Sequence, residues 1–352
     1  MTVPFIRADG TPFELGRQHG AARSAGLRAF LADDVARISR LAPAPVTPGE
    51  LEPVLREYAA AIAAATPALS QEIEGLAEGA GIPVAEAVLL QSRRELIGYQ
   101  KIPVPARGDC TTYASLTAGP GGTPVLAQTV DLNGNLDDQL AVLDLRVSGS
   151  PRRSLVLSFG GLLGYLGLNS DGLAIGLNLV LGGDWHPGLP PYLAIRHLLD
   201  TASNVKDALT ILADLPLASS RSLTLCDPTT VASVEILGSE IRVTGTGPTV
   251  THTNHYLCQD FAPRDELNVF ARNSSVRRLR ACEEGLAQFA SASVEEHFAL
   301  LSGPVICVGD TGDIRRERTV AAVVMLPHLG ELHVRPGNPA VSRTHAFRIE
   351  RS

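Results

Sequence analysis

Residues 109–131 read DCTTYASLTAGPGGTPVLAQTVD. Two stretches of strand-like residues flank Gly119-Pro120-Gly121-Gly122, the pattern of a β-hairpin closed by a glycine- and proline-rich turn. A four-residue turn without a bulge sets Cys110 opposite Asp131, Thr112 opposite Thr129, Ala114 opposite Ala127 and Leu116 opposite Val125. Directly opposed side chains have Cβ atoms roughly 4.5–5.5 Å apart. Turn geometry alone therefore puts a carboxylate beside a cysteine. Three readings of that cysteine stand open at this point: a buried structural thiol, a nucleophile, or a site where the chain cuts itself.

Beside an internal cysteine, a carboxylate disfavours the thiolate, because like charges repel. The same carboxylate is useful if Cys110 is the first residue of a new chain. An α-amino group then sits there too, and its ammonium form pairs with Asp131. An α-amine titrates at about 7.7–8.0 in model compounds. Its free base can take the thiol proton near neutral pH, so one residue supplies nucleophile and base. The hairpin makes better chemical sense after a cut than before one.

Working outward, the hairpin divides two characters. Before it, Phe13 to Leu41, Leu51 to Ala65, Ser70 to Ala80 and Val84 to Ile97 carry apolar residues at helical intervals, broken where proline and glycine cluster. After it come strand runs: LAVLDLRV, RSLVLSF, GLAIGLNLV, SLTLCD, VASVEIL, EIRVTG, TVTHTNHYL, TVAAVVML and ELHVRP. Helices are expected near Tyr192–Leu199, Val205–Leu215, Asn273–Ala290 and Val294–Leu301. Antiparallel strands and helices in separate blocks predict α+β layers, not a doubly wound sheet. A papain-like protease is disfavoured because strand residues, not a helix, follow Cys110.

The 352 residues are 45% hydrophobic and 19% charged, enough for a large aliphatic core. A formal net charge of −7 with no basic run argues against a nucleic-acid or anionic-membrane partner. The apolar runs are too short to cross a bilayer, and MTVPFIRADG lacks the character of a signal peptide. Five cysteines (Cys110, Cys226, Cys258, Cys282 and Cys307) are odd in number and form no CxxC pair. They predict a reduced, cytoplasmic chain.

Acyl transfer needs donors for the tetrahedral oxyanion. Asn178 shares a strand face with the small residues Ala174 and Gly176, which leaves room for a ligand. Asn254, in THTNHYL, is the second candidate, alternating with Thr253 and His255 in a strand pattern. On a strand His252 and His255 point to opposite faces, so they read as structural rather than metal-binding. The glycines of GLGLNSDG precede no P-loop lysine, which argues against nucleotide binding.

DCTTYA, QTVD, GYLGLNSDGLAIGLNLVLGGDW, PYLAIRHLLD, LASSRSLTLCD, THTNHYL and RTVAAVVMLPHLGELHVRPGNP, in this order, resemble the acyl-coenzyme A:6-aminopenicillanic acid acyltransferase family. TPFELGRQHG resembles its N-terminal segment, so the likeness spans nearly the whole chain. The family belongs to the N-terminal nucleophile hydrolases, which share a four-layer αββα sandwich. Its members are made as precursors and cut themselves just before a cysteine. The resemblance implies a helical α subunit of residues 1–109 and a catalytic β subunit of residues 110–352, held together as one domain.

It further implies Cys110 as the nucleophile of processing and catalysis, and Asp131 as the partner of the new α-amino group. Asn254 resembles the oxyanion asparagine, and Asn178 the asparagine that bile-salt hydrolases use nearby. Arg318 is the best match to an arginine that steadies the nucleophile, with Arg315 and Arg316 close by. Thr112 resembles a threonine implicated in processing. Asp109 departs from the glycine that commonly precedes the cysteine, and adds a second carboxylate near Asp131. The implied reaction takes an amide or thioester donor through an acyl-enzyme to water or an amine. It involves no cofactor and no metal, and a homo-oligomer is compatible with it. A hydrolase only, of bile-salt or N-acylethanolamine type, and an unprocessed binding protein on the same fold are the rival readings.

Overall fold

The computed structural model describes residues 2–98 and 110–350. The first part runs β1 (Phe5–Gly10), α1 (Pro12–Ala32), α2 (Ile38–Leu41), α3 (Pro48–Ala65), α4 (Pro67–Ala80) and α5 (Val84–Ile97). Helices α1 and α3 start on Thr-Pro-x-Glu. Thr11 and Thr47 accept from the backbones of Glu14 and Glu50, whose carboxylates bond back to the threonine N–H groups. Each is a capping box with proline at the first helical position. The single helix expected from Phe13 to Leu41 is interrupted. Asp34, Val35, Ala36 and Arg37 take positive φ values, and Arg37 secures the turn through Asp33, Asp138 and the carbonyls of Gly134 and Asn135.

Close contact of α1 with α4 follows from glycines four apart on each. A Cβ on Gly16 or Gly20 would lie 1.8 Å from the carbonyl oxygen of Glu72 or 2.3 Å from that of Leu76. Gly75 and Gly79 meet the carbonyls of Phe13 and Arg17 in the same way, so the helices run side by side in one direction.

The second part runs β2 (Thr112–Gly119), β3 (Thr123–Leu132), β4 (Leu140–Val147), β5 (Arg153–Phe159), β6 (Leu166–Asn169) and β7 (Ala174–Asn178). Then come α6 (Pro191–Thr201), α7 (Val205–Leu212), β8 (Arg221–Cys226), β9 (Val231–Leu237), β10 (Glu240–Gly247) and β11 (Thr249–His252). The chain finishes with α8 (Val269–Leu286), α9 (Val294–Leu301), β12 (Arg318–Leu326), β13 (Glu331–Pro336) and β14 (His345–Arg348). Strands β1, β6 and β14 are additions to the sequence reading. Each is four to six residues long and finds its partners only in the assembled sheets.

Two sheets form, in the orders β1-β4-β5-β6-β7-β8-β9-β10 and β11-β2-β3-β12-β13-β14. Strands β2 and β3 of the smaller sheet face β7, β8 and β9 of the larger. Helices α1 and α6 pack on the larger sheet, and α8 and α9 on the smaller. The layers are therefore helix, sheet, sheet, helix, the expected αββα sandwich. Among the described residues no helix is long and apolar enough to cross a membrane.

The hairpin forms, but one residue out of the expected register. Thr112 pairs with Gln128, Tyr113 with Ala127 and Ala114 with Leu126. An irregularity between Ser115 and Gly119 absorbs the difference. Ser115 Oγ accepts from the N–H groups of Thr117 and Ala118 there, taking the place of ladder bonds.

Candidate active site

Cys110 opens the approach to β2 and is 4% exposed. Its Sγ accepts from the backbone N–H of Asp131 at 3.3 Å and lies 3.6 Å from the Asp131 carbonyl oxygen. The contact expected between Cys110 and Asp131 thus arises in the shifted register, through the backbone at the end of β3. Thr129 bridges the two strands: it receives the Thr111 N–H at 3.1 Å and donates to Asp131 Oδ2 at 3.0 Å. Asp109 lies outside the described residues.

Asn254 lies past the end of β11, contrary to the strand pattern read over THTNHYL. Glu235 is the reason. It holds His252 Nε2 at 2.8 Å and accepts from the N–H groups of Leu257 and Cys258, which pins a turn over residues 253–258. His255 Nδ1 meets Ser275 Oγ at 2.7 Å, so both histidines have structural partners. Burial, then the neighbouring His252, lowers the His255 pKa to about 4. The turn carries the Asn254 amide to the cavity of Cys110, where Asp131, Tyr165, Tyr192, Arg221 and Glu317 also line the wall. Asn254 Nδ2 donates to the Leu179 carbonyl at 2.9 Å.

Arg278 of α8 joins these parts and was not anticipated. It is 1% exposed, and its Nη1 donates to the Cys110 carbonyl at 2.6 Å and to Thr111 Oγ1 at 3.1 Å. Its Nη2 donates to Asn254 Oδ1 at 2.9 Å. Arg318, the arginine expected here, instead pairs with Asp137 and Asp310 at the start of β12. Arg315 and Arg316 both turn to Asp313. A signal for Arg278 exists in the sequence: Ala271, Ser275, Arg278, Cys282 and Leu286 form one helical stripe, and all are buried. Three arginines in RRLRACEE disguise it as a solvated face.

Asn178 is fully buried opposite Ser222, and neither of its amide atoms has a hydrogen-bond partner among the described residues. It shares a strand face with Gly176, which abuts Gln128 and Thr112 of the smaller sheet. The cavity wall is made instead by its neighbours Leu177 and Leu179. Thr112 is buried in the same intersheet layer, outside the lining of the cavity. The structure brings together Cys110, Asp131 and Asn254 from the expected set, adds Arg278, and holds Arg318 elsewhere.

A second group of charges borders the thiol. Arg221 Nη2 meets Glu95 Oε1 at 2.9 Å, and its guanidinium lies over Trp185 and Tyr192. Burial opposes that cation, but Tyr192 and Glu95 outweigh it and raise its pKa. Burial, then the charge of Cys110, drives the Tyr165 phenol well above its usual pKa, so it stays a neutral hydroxyl.

The model of the family described as "Acyl-coenzyme A:6-aminopenicillanic acid acyl-transferase" matches residues 117–340. The "Acyl-coenzyme A:6-aminopenicillanic-acid-acyltransferase 40 kDa form" of Emericella nidulans is 30% identical over 266 residues, 75% of this chain and 72% of that protein. Two solved structures are similar at TM-score 0.46, each covering 68% of this chain. The penicillin V acylase of Agrobacterium tumefaciens is 13% identical with 86% of its chain covered. An N-acylethanolamine-hydrolyzing acid amidase ortholog of Caenorhabditis elegans is 14% identical with 100% of its chain covered. On the family match and the fungal relative, this chain belongs to the acyl-coenzyme A:6-aminopenicillanic acid acyl-transferase family.

Proposed function

We propose that this protein is a self-processing cysteine amidohydrolase or acyltransferase, with Cys110 as nucleophile. Family membership supports acyl-group chemistry on a small molecule. The observation that carries the finer reading is that Cys110, Asp131 and Asn254 meet in one cavity, with Arg278 bonded to both Cys110 and Asn254.

Cleavage of the Asp109–Cys110 bond gives residues 1–109 and 110–352, which stay associated. The new α-amine of Cys110 takes the thiol proton, and Asp131 steadies the resulting ammonium. The sulfur attacks a carbonyl, and the oxyanion forms against Asn254 Nδ2. That nitrogen carries two hydrogens, one of which goes to Leu179. Collapse of the adduct returns a proton to the leaving amine or thiol and leaves a thioester on Cys110. Water or an amine then takes the acyl group, and the thiol is regenerated. The step needs no cofactor, and five free cysteines suit a reducing, cytoplasmic setting.

Intact mass measurement of wild type and Cys110→Ala tests the proposal. Wild type is expected as two fragments and the variant as one chain without activity. Full-length wild type that turns over an acyl donor overturns it.

A further inference from the structure

The larger sheet is incomplete beside Cys110. Strands β6 and β7 pair only through Gly167–Ile175 and Leu168–Ala174, so Leu177 lies beyond the end of that ladder. Tyr165, which the same register would set opposite Leu177, turns its N–H to the Leu157 carbonyl of β5. The two strands part here, and Tyr165, Leu177 and Leu179 line the cavity that holds Cys110. Buried main-chain groups left over at such a parting are costly unless something else bonds them.

Gln128 of β3 does so from the other sheet. Its Oε1 accepts from the Leu177 N–H at 3.0 Å, and its Nε2 donates to the Leu177 carbonyl at 2.6 Å. One side-chain amide thus supplies both bonds that a strand neighbour exchanges with a paired residue. Gln128 is fully buried. Its approach requires a glycine, because a Cβ on Gly176 would lie 2.6 Å from Oε1. On its other side β7 is held by β8, as far as the pair Asn178–Ser222.

Two residues beyond this clamp, the Leu179 carbonyl receives one hydrogen of Asn254 Nδ2 at 2.9 Å. Arg278 holds Oδ1 of the same amide. The amide group is planar, so these two contacts fix where the second Nδ2 hydrogen points. One contact comes from α8, and the other depends on where the end of β7 lies.

We propose that Gln128 is a positioning residue: it clamps β7 at Leu177, and the Leu179 carbonyl thereby aims Asn254 Nδ2 at the developing oxyanion. The inference rests on Asn254 being the oxyanion donor. Gln128 is outside the lining of the cavity, so its effect reaches the reaction through Asn254.

A double-mutant cycle in kcat tests this on the purified protein, with Gln128→Met made in wild type and in Asn254→Ala. In wild type, loss of both bonds should lower kcat about 10-fold and change KM by less than about 2-fold. In Asn254→Ala the same substitution should lower kcat by less than about 2-fold, because the donor it aims is gone. Equal falls in the two backgrounds overturn the proposal. A normal kcat for Asn254→Ala alone also overturns it, by removing the oxyanion reading on which it rests.

Gln128→Glu gives a second readout. A protonated carboxyl can accept from the Leu177 N–H and donate to its carbonyl as the amide does, whereas a carboxylate cannot donate. Burial raises the pKa of such a carboxyl. The variant-to-wild-type ratio of kcat should be close to one at low pH and fall about 10-fold as pH rises through that pKa. A flat or rising ratio overturns the clamp. Hydrogen exchange at Leu177 needs neither turnover nor a folded variant. Its amide should be protected in wild type, and free exchange there overturns the clamp. Protection that is lost in Gln128→Met, in a protein that turns over no acyl donor, would leave the clamp standing and remove the catalytic reading.

Discussion

Arg196, on α6, and Arg94, near the end of α5, are both buried, yet one is closed and the other open. Arg196 donates to both oxygens of Glu72 at 2.8 and 2.9 Å, to Asp200 at 2.9 Å and to the Leu163 carbonyl at 3.0 Å. Four of its five N–H groups are used, and α6 is thereby tied to α4 behind the larger sheet. Arg94 lines a cavity beside a second arginine, Arg93, and has no partner on Nη2 among the described residues. A charge that is fully bonded within the protein has nothing left for a ligand. The hydrogen-bond inventory thus tells a buried charge paired on every nitrogen from one with a nitrogen left unpaired among the described residues. Arg278 is intermediate, since its bonds are internal but its partners are the Cys110 backbone and Asn254.

The largest effect expected on the closed side comes from Glu72→Leu. Removing one partner of a buried pair costs about 3–5 kcal/mol. Denaturant unfolding should record that loss, while Arg94→Met, which breaks no ion pair, should cost less. Equal losses would dissolve the distinction between the two regions. On the catalytic side, Asn254→Ala should lower kcat by roughly 10²–10³-fold, as loss of an oxyanion donor does. Steady-state kinetics of the purified protein check this, and a normal kcat would remove Asn254 from the chemistry.

Arg278→Lys keeps the charge but cannot span Cys110 and Asn254 at once. A fall in kcat of about 10-fold or more is expected from the lost charged hydrogen bond. An altered pH–rate profile would mark a role at the thiol rather than in folding alone.

A further effect concerns pH. His19, on α1, is 1% exposed, and burial followed by Arg23 and Arg196 lowers its pKa to about 3. Between that value and its unfolded pKa of about 6.5 the unfolded chain binds the extra proton, so stability falls as pH falls. The contribution is on the order of 1.4 kcal/mol per pH unit within that window. His19→Leu should flatten the slope of stability against pH there by one proton. An unchanged slope would mean His19 is not held neutral.

Much of this molecule is readable locally. Strands β4, β5, β9 and β13 and helices α5 and α9 lie where the period of their apolar residues puts them, because that signal is contained within the element itself. The proximity of Cys110 and Asp131 was legible too, since both flank one short turn. Register was not. A bulge held by the Ser115 hydroxyl shifts the pairing by one residue, and a period-2 pattern cannot reveal it. The choice between Arg278 and Arg318 was equally invisible, because it depends on which element packs over Cys110. Asn254 reaches the cavity only because Glu235, on another strand, bends the chain after His252.

The sequence by itself determined the α+β order, the hairpin and the cysteine beside an aspartate, all set by neighbours along the chain. The tertiary structure decided the register, the arginine bound to the Cys110 carbonyl, and which buried charges are fully paired. Hydrogen-bond partners far apart in sequence compete for the same donors, and only the packed layers settle that competition.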